Sequence, residues 1–132
     1  GSMAERQSEL AVITKAKDLC SYIMTVTQKS PKQFRFTFVS RLQNLSLDII
    51  ENLFQANEVF VIRGDEHAAG LRLSYQRKAM SNLKLITYFA LLATEQKCLL
   101  MKQYEQISRL AYETENLLGA WMTSDRRRFG KN

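Results

Sequence analysis

Apolar residues recur at steps of three and four along most of the chain, in four separate runs. The first, about residues 5–28, carries Ile13, Ala16, Cys20, Met24 and Thr27 on one stripe. The second, about 33–61, keeps a near-heptad step through Phe38, Leu42, Leu45, Ile49, Leu53, Ala56 and Phe60. The third, about 66–95, has Tyr75, Ala79, Leu83, Ile86, Ala90 and Ala93 as its seam, and the fourth, about 102–123, has Tyr104, Ile107, Ala111, Thr114, Leu118 and Trp121. Such spacing gathers side chains on one face of a helix, so the pattern predicts four amphipathic helices of about 20 to 30 residues.

The breaks between the runs are chemically distinct. Pro31 has no amide hydrogen to donate and biases Ser30 away from helical geometry, which ends the first helix. In Arg63-Gly64-Asp65-Glu66-His67, Gly64 suits the residue just past a helix end and Asp65 suits the N-cap of the next helix. A short link near 96–100 separates the last two. Long helices joined by short links predict an all-α, antiparallel up-down-up-down four-helix bundle. The expected division is an expression remnant and start at 1–3, the bundle at 5–123, and a basic tail at 124–132.

A chain of 132 residues can bury a real core as one domain. One proline and five glycines leave few tight turns for a sandwich or barrel. The longest apolar run, Leu83 to Ala93, is interrupted by Lys84 and Thr87 and falls well short of the roughly 20 residues a membrane span needs. With no secretory signal segment to read and both cysteines, Cys20 and Cys98, within apolar patterns, reduced thiols, a cytoplasmic setting and no membrane contact are expected.

Two helices carry more apolar surface than one core can use. Leu47, Ile50, Phe54 and Val61 fall opposite the seam of the second helix, and Met80, Tyr88 and Leu91 do so on the third, with Arg77 and Lys84 between them. A stripe along several turns predicts burial against another chain, and a homo-oligomer is the common solution.

Charge is unevenly spread. The net charge is +6, yet no acidic residue lies between Asp18 and Asp48, where Lys29, Lys32, Arg35 and Arg41 stand. None lies between Glu66 and Glu95, where Arg72, Arg77, Lys78 and Lys84 stand, and Arg126, Arg127, Arg128 and Lys131 close the chain. Excess of this kind fits a polyanion partner, and charge alone leaves a solvated basic surface equally open. In "KSPKQFRFTF" the cations alternate with Phe34, Phe36 and Phe38 at a helix start, where free amides also favour phosphate. A hydrophobic staple with solvated charges is the other reading of that segment.

Catalysis has little support. His67 is the single histidine and falls in a turn, no Glu-x-x-His motif is present, and the seams as read hold no carboxylate. Neither a phosphate-cradling glycine loop nor a nucleophile elbow occurs. No enzyme activity, metal or cofactor is expected.

"SPKQFRFTFVSRLQNLSLDIIENLFQAN" resembles the Pro-x-x-x-Arg-Phe, Arg-Leu and Ala-Asn pattern of the accessory variability determinant proteins of diversity-generating retroelements. "KQYEQISRLAYETENLLGAWM" resembles that family's last helix with its Leu-Gly-x-Trp ending, and the likeness spans most of residues 8 to 123. The resemblance implies a bundle assembled into a basic, ring-like homopentamer. It also implies a non-catalytic partner of a reverse transcriptase, binding RNA or DNA during mutagenic copying of a template RNA. On that basis Lys29, Lys32, Arg35, Arg41, Arg72, Arg77, Lys78, Lys84 and Arg126 to Arg128 are expected to meet phosphates or the polymerase. Two departures stand out. Tyr88 replaces a second arginine one turn beyond Lys84, and "LSLDIIENLF" lacks the proline and glycine of the related bundles encoded in ribosomal-RNA intervening sequences. Such a cousin, a structural interaction module with no polymerase partner, is the alternative.

For the C-terminus the reading places Trp121 at the closing layer of the bundle, with Gly119 admitting a neighbouring backbone. Asp125 is expected beyond the helix end, so that the arginines leave at one pole. A chain cut after Thr123 is then expected to keep its fold and lose polyanion affinity.

Overall fold

The computed structural model describes residues 3–130, the side chains of residues 4–6 and 8 excepted. Gly1, Ser2 and Lys131 therefore lie outside the described residues. The chain forms α1 (Met3–Thr27), a 3-10 turn (Lys32–Phe34), a π-helical segment (Arg35–Val39), α2 (Ser40–Glu58), α3 (Glu66–Glu95) and α4 (Met101–Phe129). Among the described residues there is no strand. Each helix packs on its neighbour in sequence, and α1 on α4 completes the bundle.

The core is the set of heptad seams. Leu42, Leu45, Ile49, Leu53 and Ala56 of α2 meet Ala79, Leu83, Ile86, Ala90 and Ala93 of α3 and Ile107, Ala111, Leu118 and Trp121 of α4 in one buried cluster. Along α1 the centre of the stripe is Val12, Ala16, Leu19, Ile23 and Val26, which shifts it one position from the sequence reading; Ile13 packs only at its edge. Small residues on α3 face large ones on α2 and α4, the interdigitation that fills a core to crystal-like density.

Each connection has a local cause. Phe34 donates its amide to the Pro31 carbonyl at 3.1 Å, so the chain leaves Pro31 as a tight 3-10 turn and enters α2 through the π segment. Helix two thus begins later than the periodicity suggests. It also ends sooner, at Glu58, because Val59 turns extended (φ −76°, ψ 109°). Phe60 leaves the seam for that reason and is 82% exposed. Gly64 takes the left-handed φ of 96°, but in the turn before α3 and not directly behind α2. Asp65 caps α3 as expected, its carboxylate accepting the Ala68 amide at 3.0 Å. After α3, Lys97 adopts φ 70° and lets the Cys98 amide reach back to the Ala93 carbonyl at 2.8 Å.

Three expectations about the surface and the C-terminus are corrected. Ile50 and Met80 are half-buried against the core, and Val61 sits half-buried in the irregular link after α2, so these are not parts of a free outer stripe. Leu91 is likewise half-buried, whereas Leu47, Phe54 and Tyr88 are exposed. Helix α4 does not stop at Thr123 but runs on to Phe129. Finally, a side chain at Gly119 would meet nothing within 4 Å, so no backbone approaches closely there. Glycine in an open helix interior costs about 1 kcal/mol relative to alanine. Gly119→Ala should therefore raise stability by about 1 kcal/mol, read as a higher denaturant midpoint with unchanged slope.

Candidate functional site

Two sites emerge, one buried at a pole of the bundle and one exposed. The buried one lies where α1 and α3 begin and α4 ends. Stepping the seams further outward lands on polar residues: one interval from Val12 back to Glu9, two from Ala79 back to Gln76 and then Arg72, and one from Trp121 on to Asp125. Four residues of the seams thus form a polar layer that closes the core.

Arg72 is the centre of that layer, and it is 6% exposed. Its guanidinium grips Asp125 through Nε at 2.7 Å and Nη2 at 3.1 Å, and Nη2 also reaches Glu9 at 3.0 Å. Nη1 points at the Val59 carbonyl, 3.5 Å away, just past the end of α2. One side chain thereby touches all four helices or their ends. The cation also lies over the Trp121 ring at 4.9 Å and the Phe129 ring at 5.8 Å. Asp125 further accepts from Gln76 at 2.9 Å and from Arg128 at 3.0 Å. Burial by itself pulls the Arg72 pKa down, but the hydrogen bonds and charges of Asp125 and Glu9 outweigh it and hold the value above its ordinary one.

Two sequence expectations give way here. Arg72 is no phosphate contact, because its donors are spent on carboxylates inside the bundle. Asp125 lies within α4 and is 7% exposed, so the seams do hold a carboxylate and the helix end is folded onto the bundle. Of the three terminal arginines, Arg126 and Arg127 are exposed, while Arg128 is half-buried with Asp125 and over the Phe129 ring at 4.5 Å.

The exposed site is formed around the α1–α2 junction. A cleft of about 540 Å³ is lined by Gln28, Ser30, Lys32, Arg35, Phe36 and Gln43, among others. Phe36 also borders a second cleft of about 300 Å³, where Arg41 lies over the Phe89 ring at 5.0 Å. Among the described residues no acidic side chain lines either cleft. Lys29 is exposed just before them in the chain, so the structure gathers Lys29, Lys32, Arg35 and Arg41 in one region, as the charge pattern suggested.

The other predicted cations stand elsewhere. Arg77, Lys78 and Lys84 are exposed along α3, with Lys78 over the Tyr75 ring at 5.6 Å. Lys84 lies in the field of Glu115, whose carboxyl is nevertheless pushed above its usual range by burial. The Ser30 hydroxyl, which donates to the Cys98 carbonyl at 2.9 Å, ties the α1–α2 junction to the end of α3, whereas Arg126 and Arg127 sit by the start of α3. With 30 residues, α3 is about 45 Å long, so the junction cations and the terminal arginines occupy opposite poles.

Among the described residues no group of three or more His, Cys, Asp or Glu converges. His67 is exposed in the first turn of α3. Cys20 accepts from buried Ser46 at 3.3 Å, and burial raises the Cys98 thiol pKa against the opposing pull of Ser30, so that thiol is a poor nucleophile at neutral pH. Among the described residues no helix is long and apolar enough to cross a membrane.

Fold and sites together define a basic all-helical protein of the four-helix-bundle class. No family model and no curated protein matches the chain. Among solved structures, it is similar to a crystal structure of a protein of unknown function from the S23 ribosomal protein family of Bacteroides thetaiotaomicron. The TM-score is 0.71, over 88% of this chain and 98% of that one, at 14% sequence identity. At that identity the likeness establishes a shared helical fold.

Removing one partner of a buried ion pair leaves the other charge uncompensated and costs about 3–5 kcal/mol. Asp125→Ala should lower stability by that amount, and a chain ending at Thr123 should be destabilised in the same way, contrary to the sequence expectation. Replacing the whole charged cluster with apolar groups, Arg72→Met with Asp125→Leu and Glu9→Leu, should recover most of the loss. Equilibrium denaturation decides: a cost below about 1 kcal/mol would mark the contact as a solvated surface pair.

Proposed function

We propose that this chain is a non-catalytic, basic nucleic-acid-binding accessory protein that partners the reverse transcriptase of a diversity-generating retroelement, acting in the cytoplasm on template RNA and its cDNA. The reading takes the bundle as antiparallel up-down-up-down and its assembly as a ring-like homo-oligomer, a pentamer by resemblance. It rests on one observation above all. Lys29, Lys32, Arg35, Arg41, Arg77, Lys78, Lys84, Arg126 and Arg127 are exposed, and none is among the ion pairs of the described residues. Cations outside any ion pair over so much of a surface suit a phosphate backbone, which they position without reading sequence. Leu47, Phe54 and Tyr88, exposed on α2 and α3, suit contacts between copies.

One feature favours a second reading, a structural interaction module of the ribosomal-RNA-intervening-sequence type with no polymerase partner. Tyr88, exposed where the retroelement family carries an arginine, makes the α3 face more apolar and less basic, which suits a protein helix better than phosphate.

Titrating the protein with duplex DNA and with an RNA–DNA hybrid at two salt concentrations separates the two. With about six phosphate contacts, affinity should fall about 10³-fold between roughly 50 and 200 mM salt. Alanine at Lys32, Arg35 and Arg41 together should reduce the slope of log affinity against log salt by about 3. Absence of binding at low salt, or a flat salt response, would leave the interaction module standing. In the same buffers light scattering should give a mass of several chains, and a strict monomer would contradict the ring.

A further inference from the structure

Phe36 is the most exposed aromatic residue of the protein, at 86%, and nothing in the bundle accounts for it. It is not on the outer faces of α2 and α3 that carry Leu47, Phe54 and Tyr88. It sits in the π segment, a rare backbone form that recurs at functional sites. The residues two before and two after it, Phe34 and Phe38, are half-buried against the core with ring centroids 6.0 Å apart. That pair anchors the backbone on both sides and leaves the Phe36 ring on a stiff mount. The ring stands between two clefts, one bordered by Lys32 and Arg35, the other by Arg41.

From this arrangement we infer that Phe36 is a stacking platform for an unpaired base, so that the α1–α2 junction binds single-stranded RNA or DNA in preference to duplex. The inference rests on the nucleic-acid reading above and narrows it to one ligand form. A flat apolar ring flanked by cations is what single strands require, since every base has a face to stack while its phosphates seek positive charge. In a duplex those faces are already covered by neighbouring bases. The side chain of Gln28 lines the first cleft and supplies a donor and an acceptor for a base edge, whereas Ser30 and Gln43 beside it already donate to Cys98 and Thr27. A two-fold contact of this patch with its own copy is disfavoured, because it would set Lys32, Arg35 and Arg41 of one copy against those of the other.

The test compares the 132-residue chain with its Phe36→Ala and Phe36→Trp variants, using a labelled single strand and a duplex of the same length. With the ring exposed, the alanine change removes no core packing, and circular dichroism should be unaltered. Single-strand affinity should fall about tenfold in Phe36→Ala, stay near the original in Phe36→Trp, and duplex affinity should change less than about twofold in both. A 2-aminopurine placed in the strand should be quenched on binding the original protein and not on binding Phe36→Ala. No loss of single-strand affinity, equal losses on both probes, or a changed oligomer mass in Phe36→Ala would each overturn the platform. Failure of the original protein to bind either probe at low salt is a different result, because it removes the nucleic-acid reading itself.

Discussion

The structure hangs on one buried cation. Arg72 joins Asp125 near the end of α4, Glu9 near the start of α1 and the backbone just past α2, all from a position near the start of α3. Leucine and alanine layers tolerate small slips along and around the helix axes, because apolar contact is non-directional. A forked guanidinium with two carboxylates does not, since any slip strands a charge out of water. The polar layer therefore supplies register where the apolar seams supply cohesion. It also decides where the chain's last helix ends: with Asp125 drawn in and Phe129 under the cation, the final turns of α4 are held to the bundle.

That arrangement divides the basic residues into two populations with different physical roles. Arg72 and Arg128 are answered by carboxylates and belong to the architecture. The cations of the α1–α2 junction and of α3 face solvent and remain available to an outside anion. Net charge alone cannot separate these groups, because Arg72 and Arg77 look alike in sequence and differ only in which way α3 turns them. The same turn that hides Arg72 exposes Arg77 and Lys78, five and six residues on.

The junction between α1 and α2 is where folding and recognition meet. Pro31 forces the chain out of α1, the 3-10 and π turns absorb the change of direction, and Phe34 and Phe38 fasten the segment to the core. A regular helix from Gln33 onward would have carried the three phenylalanines around a steady 100° step. At that step Phe34 and Phe38 fall about 40° apart and Phe36 on the opposite side, and the π segment keeps that division, with two rings against the core and the third exposed among cations at one pole. At the other pole the terminal arginines crown the polar layer, so the two basic regions are held about an α3 length apart.

The sequence by itself determined the four helices, the seams of α2, α3 and α4, and the N-cap at Asp65, because each follows from local spacing and local hydrogen bonding. The polar layer was partly legible too: Glu9, Gln76, Arg72 and Asp125 continue the heptad steps, and only the assumption that charged residues face water hid them. Gathering Lys29, Lys32, Arg35 and Arg41 was also readable, since they are close along the chain. The tertiary structure alone decided that Arg72 pairs inward, that α4 runs on to Phe129 and that Phe60 leaves the seam. Those outcomes depend on partners 49 to 63 residues away and on backbone turns with no strong local signature. Burial of a charge is favourable only when its counter-charge arrives from another helix, and spacing along one chain segment cannot report that arrival.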